Sequence, residues 1–234
     1  MTRPGYRFAI LVAVSVCLFA SASSSAQAPD HSTAATRAAS TTTTDAPSLT
    51  YRRIFKSSYP EYVQINVNEQ GAGTFDIRQL DDTASPQPLQ VGLPLVHKMF
   101  KLADSLHDFQ GVDLDVHRRV ADLGQKTFVY KRGSEVHQVI FNYTLNNSAQ
   151  QLLAIFDGLQ RQELDISDME RVTRYDHLGV PDVIARVQSD VQERLIPEPD
   201  ALLPALDQIA ASSELMDMSR QRARAIAEEI RRGR

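Results

Sequence analysis

The chain has 234 residues, with 25 Lys and Arg against 29 Asp and Glu and a formal net charge of −4. That length suits one domain or a domain with an appendage. The acidic balance excludes general nucleic-acid binding, which needs a basic face, and a single cysteine excludes a disulfide framework.

Arg3 and Arg7 precede an apolar run from Phe8 to Ala20, and Ala26-Gln27-Ala28 fits a small-residue cleavage pattern. Residues 1–28 therefore read as a secretory signal peptide. The run is shorter than an ordinary membrane span. Ala22 and Ala26 are rival cleavage sites, because Pro29 would follow a cut at Ala28; an uncleaved anchor is the remaining alternative. The expectation is an exported protein, periplasmic or extracellular after cleavage. Cys17 lies inside the leader, so the mature chain has no thiol and must hold together without covalent staples. Loss of the leader's two arginines leaves 23 basic residues against 29 acidic, a net charge of about −6. Residues 29–47, with Thr41-Thr42-Thr43-Thr44, carry almost no apolar bulk and read as a disordered linker.

Order is expected from about residue 48. Tyr51 to Phe55 has strand-forming residues. Tyr62 to Asn68 alternates, with Val63, Ile65 and Val67 on one face and Gln64, Asn66 and Asn68 on the other. Gly71-Ala72-Gly73 supplies a turn, and Thr74 to Leu80 alternates again through Phe75 and Ile77. These predict an antiparallel meander with one wet face. Asp81 to Pro88 reads as a polar loop. Leu95, Met99, Leu102 and Leu106 form one helical stripe over 94–107.

Thr127–Arg132 and Val136–Leu145 read as a hairpin turned at Gly133-Ser134. Apolar residues on both of its faces predict a central place in the sheet. A helix follows, with Ser148 and Gln151 as a capping box; this hairpin and helix are the expected unit on which the rest packs. Ser167 and Glu170 predict a second capping box. Gly179-Val180-Pro181 breaks or kinks the helix, and Ile184, Val187, Val191 and Leu195 keep a helical stripe. Further helices are expected after Asp200 and after Ser213. The fold class is α+β: a five-stranded antiparallel sheet packed by two helices on one face (48–165), followed by a C-terminal helical appendage (166–234).

His107, Asp113, Asp115 and His117 are the densest set of metal-capable side chains. Their spacing fits neither a calcium loop nor a zinc helix, and acids that cap turns give the same pattern. Tyr175-Asp176-His177 places an acid beside an imidazole, but helical neighbours do not face each other. No nucleophile elbow and no phosphate loop is present, so no cofactor is expected. The last helix carries Arg220, Arg222, Arg224, Arg231, Arg232 and Arg234 beside Leu215, Ala223, Ile226 and Ile230. Two readings stand for it: weak contact with an anionic membrane surface, or arginines that complement the helix dipole.

The layout resembles a group of uncharacterised exported bacterial domains of unknown function. The similar positions are Tyr62-Val63-Gln64-Ile65-Asn66-Val67 before Gly71-Ala72-Gly73-Thr74-Phe75, a helix ending near Asp108-Phe109, Gly133 to Val139 with Tyr143, and Ala149-Gln150-Gln151-Leu152. The resemblance implies an envelope domain and carries over no catalytic residues. The leading expectation is a non-catalytic binding or protein-interaction module with an envelope protein as partner. Its expected surface is the open sheet face with Gln64, Asn66, Asp76 and Arg78 and the aromatics Tyr51, Tyr59 and Tyr62. The alternative is a periplasmic hydrolase or metal-dependent enzyme using His107, Asp113, Asp115 and His117.

Overall fold

The computed structural model describes residues 46–233; the signal peptide and nearly all of the linker expected at 1–47 lie outside them. Among the described residues six strands form one antiparallel sheet in the order β4-β3-β2-β1-β5-β6. They are β1 (Ser48–Ile54), β2 (Tyr62–Asn68), β3 (Ala72–Arg78), β4 (Gln87–Gln90), β5 (Gln125–Arg132) and β6 (Glu135–Phe141). The class is α+β, with one strand more than the five expected. β4 comes from the stretch that reads as a polar loop: it is four residues long, and Leu89 is its one buried side chain. Pro88 cannot donate to a ladder, which an edge position tolerates.

Alternation sets the faces. Leu49, Tyr51, Val63, Ile65, Val67, Phe128 and Tyr130 share the inner face and are buried. β1, joined to β2 and β5 on its two sides, sits in the middle of the sheet. The β5–β6 hairpin is not central, contrary to expectation: β6 is an edge, and its outward apolar residues meet solvent. The turn at Gly133-Ser134 does close that hairpin. Gly133 has φ +57°, the value the first position of a tight primed turn demands.

Helices α1 (Leu93–Asp104) and α2 (Asn147–Tyr175) bury Val96, Met99, Leu152, Phe156 and Leu159 in the same core as the inner face. At about 1.5–3 kcal/mol per fully buried side chain, this layer dominates the stability of the sheet. The start of α2 is capped by Asn146, whose side-chain oxygen accepts from Ala149 N at 3.1 Å, and not by the Ser148–Gln151 box. No second helix starts at Ser167. α2 runs on for 29 residues because nothing breaks it before Asp176, and its far half buries Met169 and Val172 in a second core.

That second core is closed by α3 (Val180–Gln192), a short 3-10 turn at Pro199–Leu202, α4 (Leu203–Ala211) and α5 (Asp217–Arg232). The starts of α4 and α5 use neither Asp200 nor Ser213 as a side-chain cap. α5 turns Ala223, Ile226, Ala227 and Ile230 into this core, so its apolar stripe is not free to enter a lipid surface. Arg231 and Arg224 are themselves held, by Asp207 at 2.6 Å and by the Ala210 carbonyl at 2.8 Å. Among the described residues no helix is long and apolar enough to cross a membrane.

A chain of three groups links the two cores. Gln162 accepts from Glu198 N (3.2 Å), and Glu198 accepts from Gly92 N (2.8 Å) at the head of α1. Beside it, Gly158 lets the 195–197 turn lie directly on α2: a Cβ there would stand 2.9 Å from both the Leu195 oxygen and Pro197 Cδ. Gly158→Ala gains about 1 kcal/mol of helix propensity and loses about 1–3 to overpacking. The expected net effect is a loss of roughly 1 kcal/mol, read as a lower urea midpoint at unchanged slope.

Candidate functional site

The β1–β2 loop, residues 55–61, is a bracket held by its own polar groups. Phe55 N donates to the Glu61 carbonyl at 2.8 Å. The Glu61 carboxylate accepts from Ser57 N (2.6 Å) and, from across the loop after β3, Leu80 N (3.3 Å). Ser58 Oγ lies 2.6 Å from the Phe55 carbonyl and 2.7 Å from that of Pro60. Tyr59 crowns the bracket with 88% of its surface exposed, while Pro60 beneath it is buried. The bracket fixes the backbone that presents Tyr59, so binding there does not have to order the loop.

Two hollows adjoin this ring. One, about 120 Å³, is lined by Tyr59, Ile77, Arg78, Asp82 and Leu164. The other, about 240 Å³, lies between the loop, α2 and α3, and Tyr59, Arg161, Leu164, Asp165, Arg186 and Asp190 line it. On its floor Asp165 and Asp190 are 1% and 5% exposed. Arg186 Nε donates to Asp165 Oδ1 at 3.0 Å, Arg186 Nη2 to Asp168 at 2.8 Å, and Arg161 to Asp190 Oδ1 at 3.2 Å. Among the described residues the other oxygen of each buried acid, Oδ2, has no hydrogen-bond partner. Burial pushes the Asp165 carboxyl up to about 6; Arg186 pulls it down and the neighbouring Asp190 pushes it further up. Two carboxyls this close do not both ionise readily. A proton on Asp165 turns repulsion into a hydrogen bond.

No protein-family model matches the chain, and no curated protein sequence matches it.

The residues singled out in the sequence divide sharply. Tyr51 is not on the open face: it is fully buried, stacked 5.2 Å from Phe156, and its hydroxyl donates to Asp157 at 3.1 Å. Its i, i+2 relation to Leu49 puts it on the core side. Burial raises its pKa well above the ordinary phenol value and raises that of Asp157 too. Tyr62, Gln64, Asn66 and Arg78 do lie on the open face, half-buried, and serve one another. Tyr62 donates to Gln64 (2.8 Å), Asn66 to Thr50 (2.7 Å) and Arg78 to Asp76 (3.0 Å), while the Arg78 guanidinium covers the Tyr62 ring at 4.3 Å. That face is a satisfied polar lattice, and Arg78 reaches from it to the smaller hollow beside Tyr59.

Asp113, Asp115 and His117 come together, and the structure gives the reason. Asp115 Oδ1 accepts from Asn142 N at 2.8 Å and from Tyr143 N, tying the 113–117 segment to the end of β6. Asp113 bonds the His117 ring at 2.6 Å and accepts from Asp115 N. These bonds lower both acids below the usual carboxylate range and raise the imidazole. His107, in a separate 3-10 turn (His107–Phe109), joins none of these bonds. Among the described residues no three such side chains are grouped to hold a metal ion. The acids here fasten a loop.

The cleft residues Arg161, Asp165, Asp168, Arg186 and Asp190 escape a reading of motifs. A faint signal exists: Arg161 and Asp165, like Arg186 and Asp190, stand four apart, and Asp190 occupies a position of an apolar helical stripe.

Proposed function

We propose that this chain is an exported, non-catalytic interaction module of the bacterial cell envelope, and that it grips a protein partner at the Tyr59 cleft. The observation that carries the reading is an almost wholly exposed tyrosine on a hydrogen-bonded bracket, between two hollows. Exposed aromatics with arginines near at hand are the residues that anchor protein interfaces. A segment of the partner closes over the Tyr59 ring and Leu164, and its donors meet Asp168 and the rim of the acid pair. Binding is favoured over hydrolysis because each buried acid already holds a guanidinium and the acids near His117 hold backbone N–H groups.

The test is a photo-crosslinking phenylalanine analogue at position 59, with the same analogue at Tyr175, which is 76% exposed elsewhere on the surface. A discrete adduct in envelope material at position 59 and none at 175 is the expected result. Tyr59→Ala should leave stability within about 0.5 kcal/mol of the parent and abolish the competition of unlabelled protein for that adduct. Equal labelling at both positions, or none, removes the reading. Export is tested apart from it: N-terminal sequencing of the envelope-associated chain should start at Ser23, Gln27 or Pro29.

A further inference from the structure

We propose that β6 is a dimerisation edge, at which two copies of this chain pair antiparallel about a twofold axis through Gln138 and run their sheets into one. No residue of β6 lines either hollow beside Tyr59, and the proposal does not depend on that cleft.

The two edges of the sheet are unlike. β4 is four residues with a proline in it, a blunted edge. β6 is seven residues without proline or lysine, and its ladder with β5 runs unbroken from Arg132↔Glu135 to Lys126↔Phe141. Among the described residues no backbone group pairs with the other side of Glu135–Phe141; just beyond it Asp115 holds Asn142 N and Val116 N donates to the Tyr143 carbonyl, so the free edge ends at Phe141. The two-residue turn makes Arg132 and Glu135 a bonded pair, so Glu135, His137, Val139 and Phe141 direct their backbone groups to β5. Val136, Gln138 and Ile140 direct theirs outward. A long, straight edge left in this state is a template for another strand.

The side chains say which strand. Those of the same three residues lie on the open face, with Val136 56% and Ile140 47% exposed. Read backwards about Gln138, the order apolar, amide, apolar repeats itself. In an antiparallel pair centred there, Val136 lies against Ile140 of the partner subunit, Gln138 against Gln138 of the partner subunit, and Ile140 against Val136 of the partner subunit. On the inner face His137 meets Val139 of the partner subunit. Glu135 meets Phe141 of the partner subunit, so no like charges oppose. About six backbone hydrogen bonds form across the axis, and two exposed apolar pairs leave water. An arbitrary foreign strand offers no such match; a second copy always does.

The full chain should sediment as a concentration-dependent monomer–dimer mixture. Amides of Val136, Gln138 and Ile140 should gain hydrogen-exchange protection as concentration rises. Gln138→Pro removes the donor at the axis without touching the β5 ladder, and Ile140→Lys puts a charge in the apolar pair; each should weaken association at least about tenfold with an unchanged circular dichroism spectrum. A strict monomer with unprotected amides at these positions overturns the proposal. So does protection that ignores concentration, which would mean that something else covers the edge. A dimer that survives both substitutions overturns it as well.

Discussion

Phe128→Ala is expected to destabilise the fold by about 3–5 kcal/mol, measured as a lower urea midpoint with little change in slope. The ring sits where every layer of the first core meets. Its centroid lies 5.4 Å from Phe109, 5.2 Å from Phe141, 5.8 Å from Tyr51 and 6.0 Å from Phe156. These partners come from the 3-10 turn, β6, β1 and α2, so no single element can move in to fill the space. The lost transfer energy of a large ring and the cavity left behind therefore add, with about 0.5–1.5 kcal/mol more for aromatic pairing. Against an ordinary stability of about 5–15 kcal/mol, the variant would be marginal. Leu145→Ala, at a side chain 60% exposed, should change stability by less than about 0.5 kcal/mol. A Phe128→Ala loss near 1 kcal/mol would mean that the helices do not seal the inner face as described.

The parts of this core that were legible in the sequence are those where burial on one face writes itself with period two. Val63, Ile65 and Val67 in β2 follow that rule, and Phe75 and Ile77 in β3 pack half-buried against the same core. β4 is too short to show a period and contains Pro88. The edge position of β6 is not legible in the sequence, because Val136 and Ile140, apolar on the outward side, mimic a strand buried on both faces. Ser167 with Glu170 imitates a helix start, but a capping pattern is a weak local preference. Met169 and Val172 keep α2 helical by burying its far half. Tyr51, Tyr59 and Tyr62 are one residue type with three fates: core, crest and lattice. Alternation from Leu49 separates the first; nothing local marks the second. The cleft itself is a product of α2 meeting α3, a relation between residues 21 to 29 apart that no single stripe records.

Asp165→Asn should flatten the pH dependence of stability between about pH 4.5 and 7.5 and make the protein about 1–2 kcal/mol more stable than the parent at the upper end. The folded-state value of Asp165 is raised from an ordinary 3.8 to about 6. In that window the folded chain holds a proton that the unfolded chain has released. Its stabilisation is full below the unfolded value and is lost as pH rises through about 6. Above that, Asp165 and Asp190 confront each other as anions, with Arg186 on one, Arg161 on the other and Asp168 adding its charge nearby. The full shift would be worth nearly 3 kcal/mol by linkage; the cleft opens to water, which screens the field and reduces it. Asparagine keeps an acceptor for Arg186 and supplies Asp190 with a donor at every pH. His117, held up by Asp113, titrates with the same sign, so the quantity to compare is the difference between variant and parent in urea midpoints across pH. A difference that does not grow as pH rises would mean that no proton sits between these acids. The floor of the cleft would then be a fixed charge cluster, with no protonation state for a partner to sense.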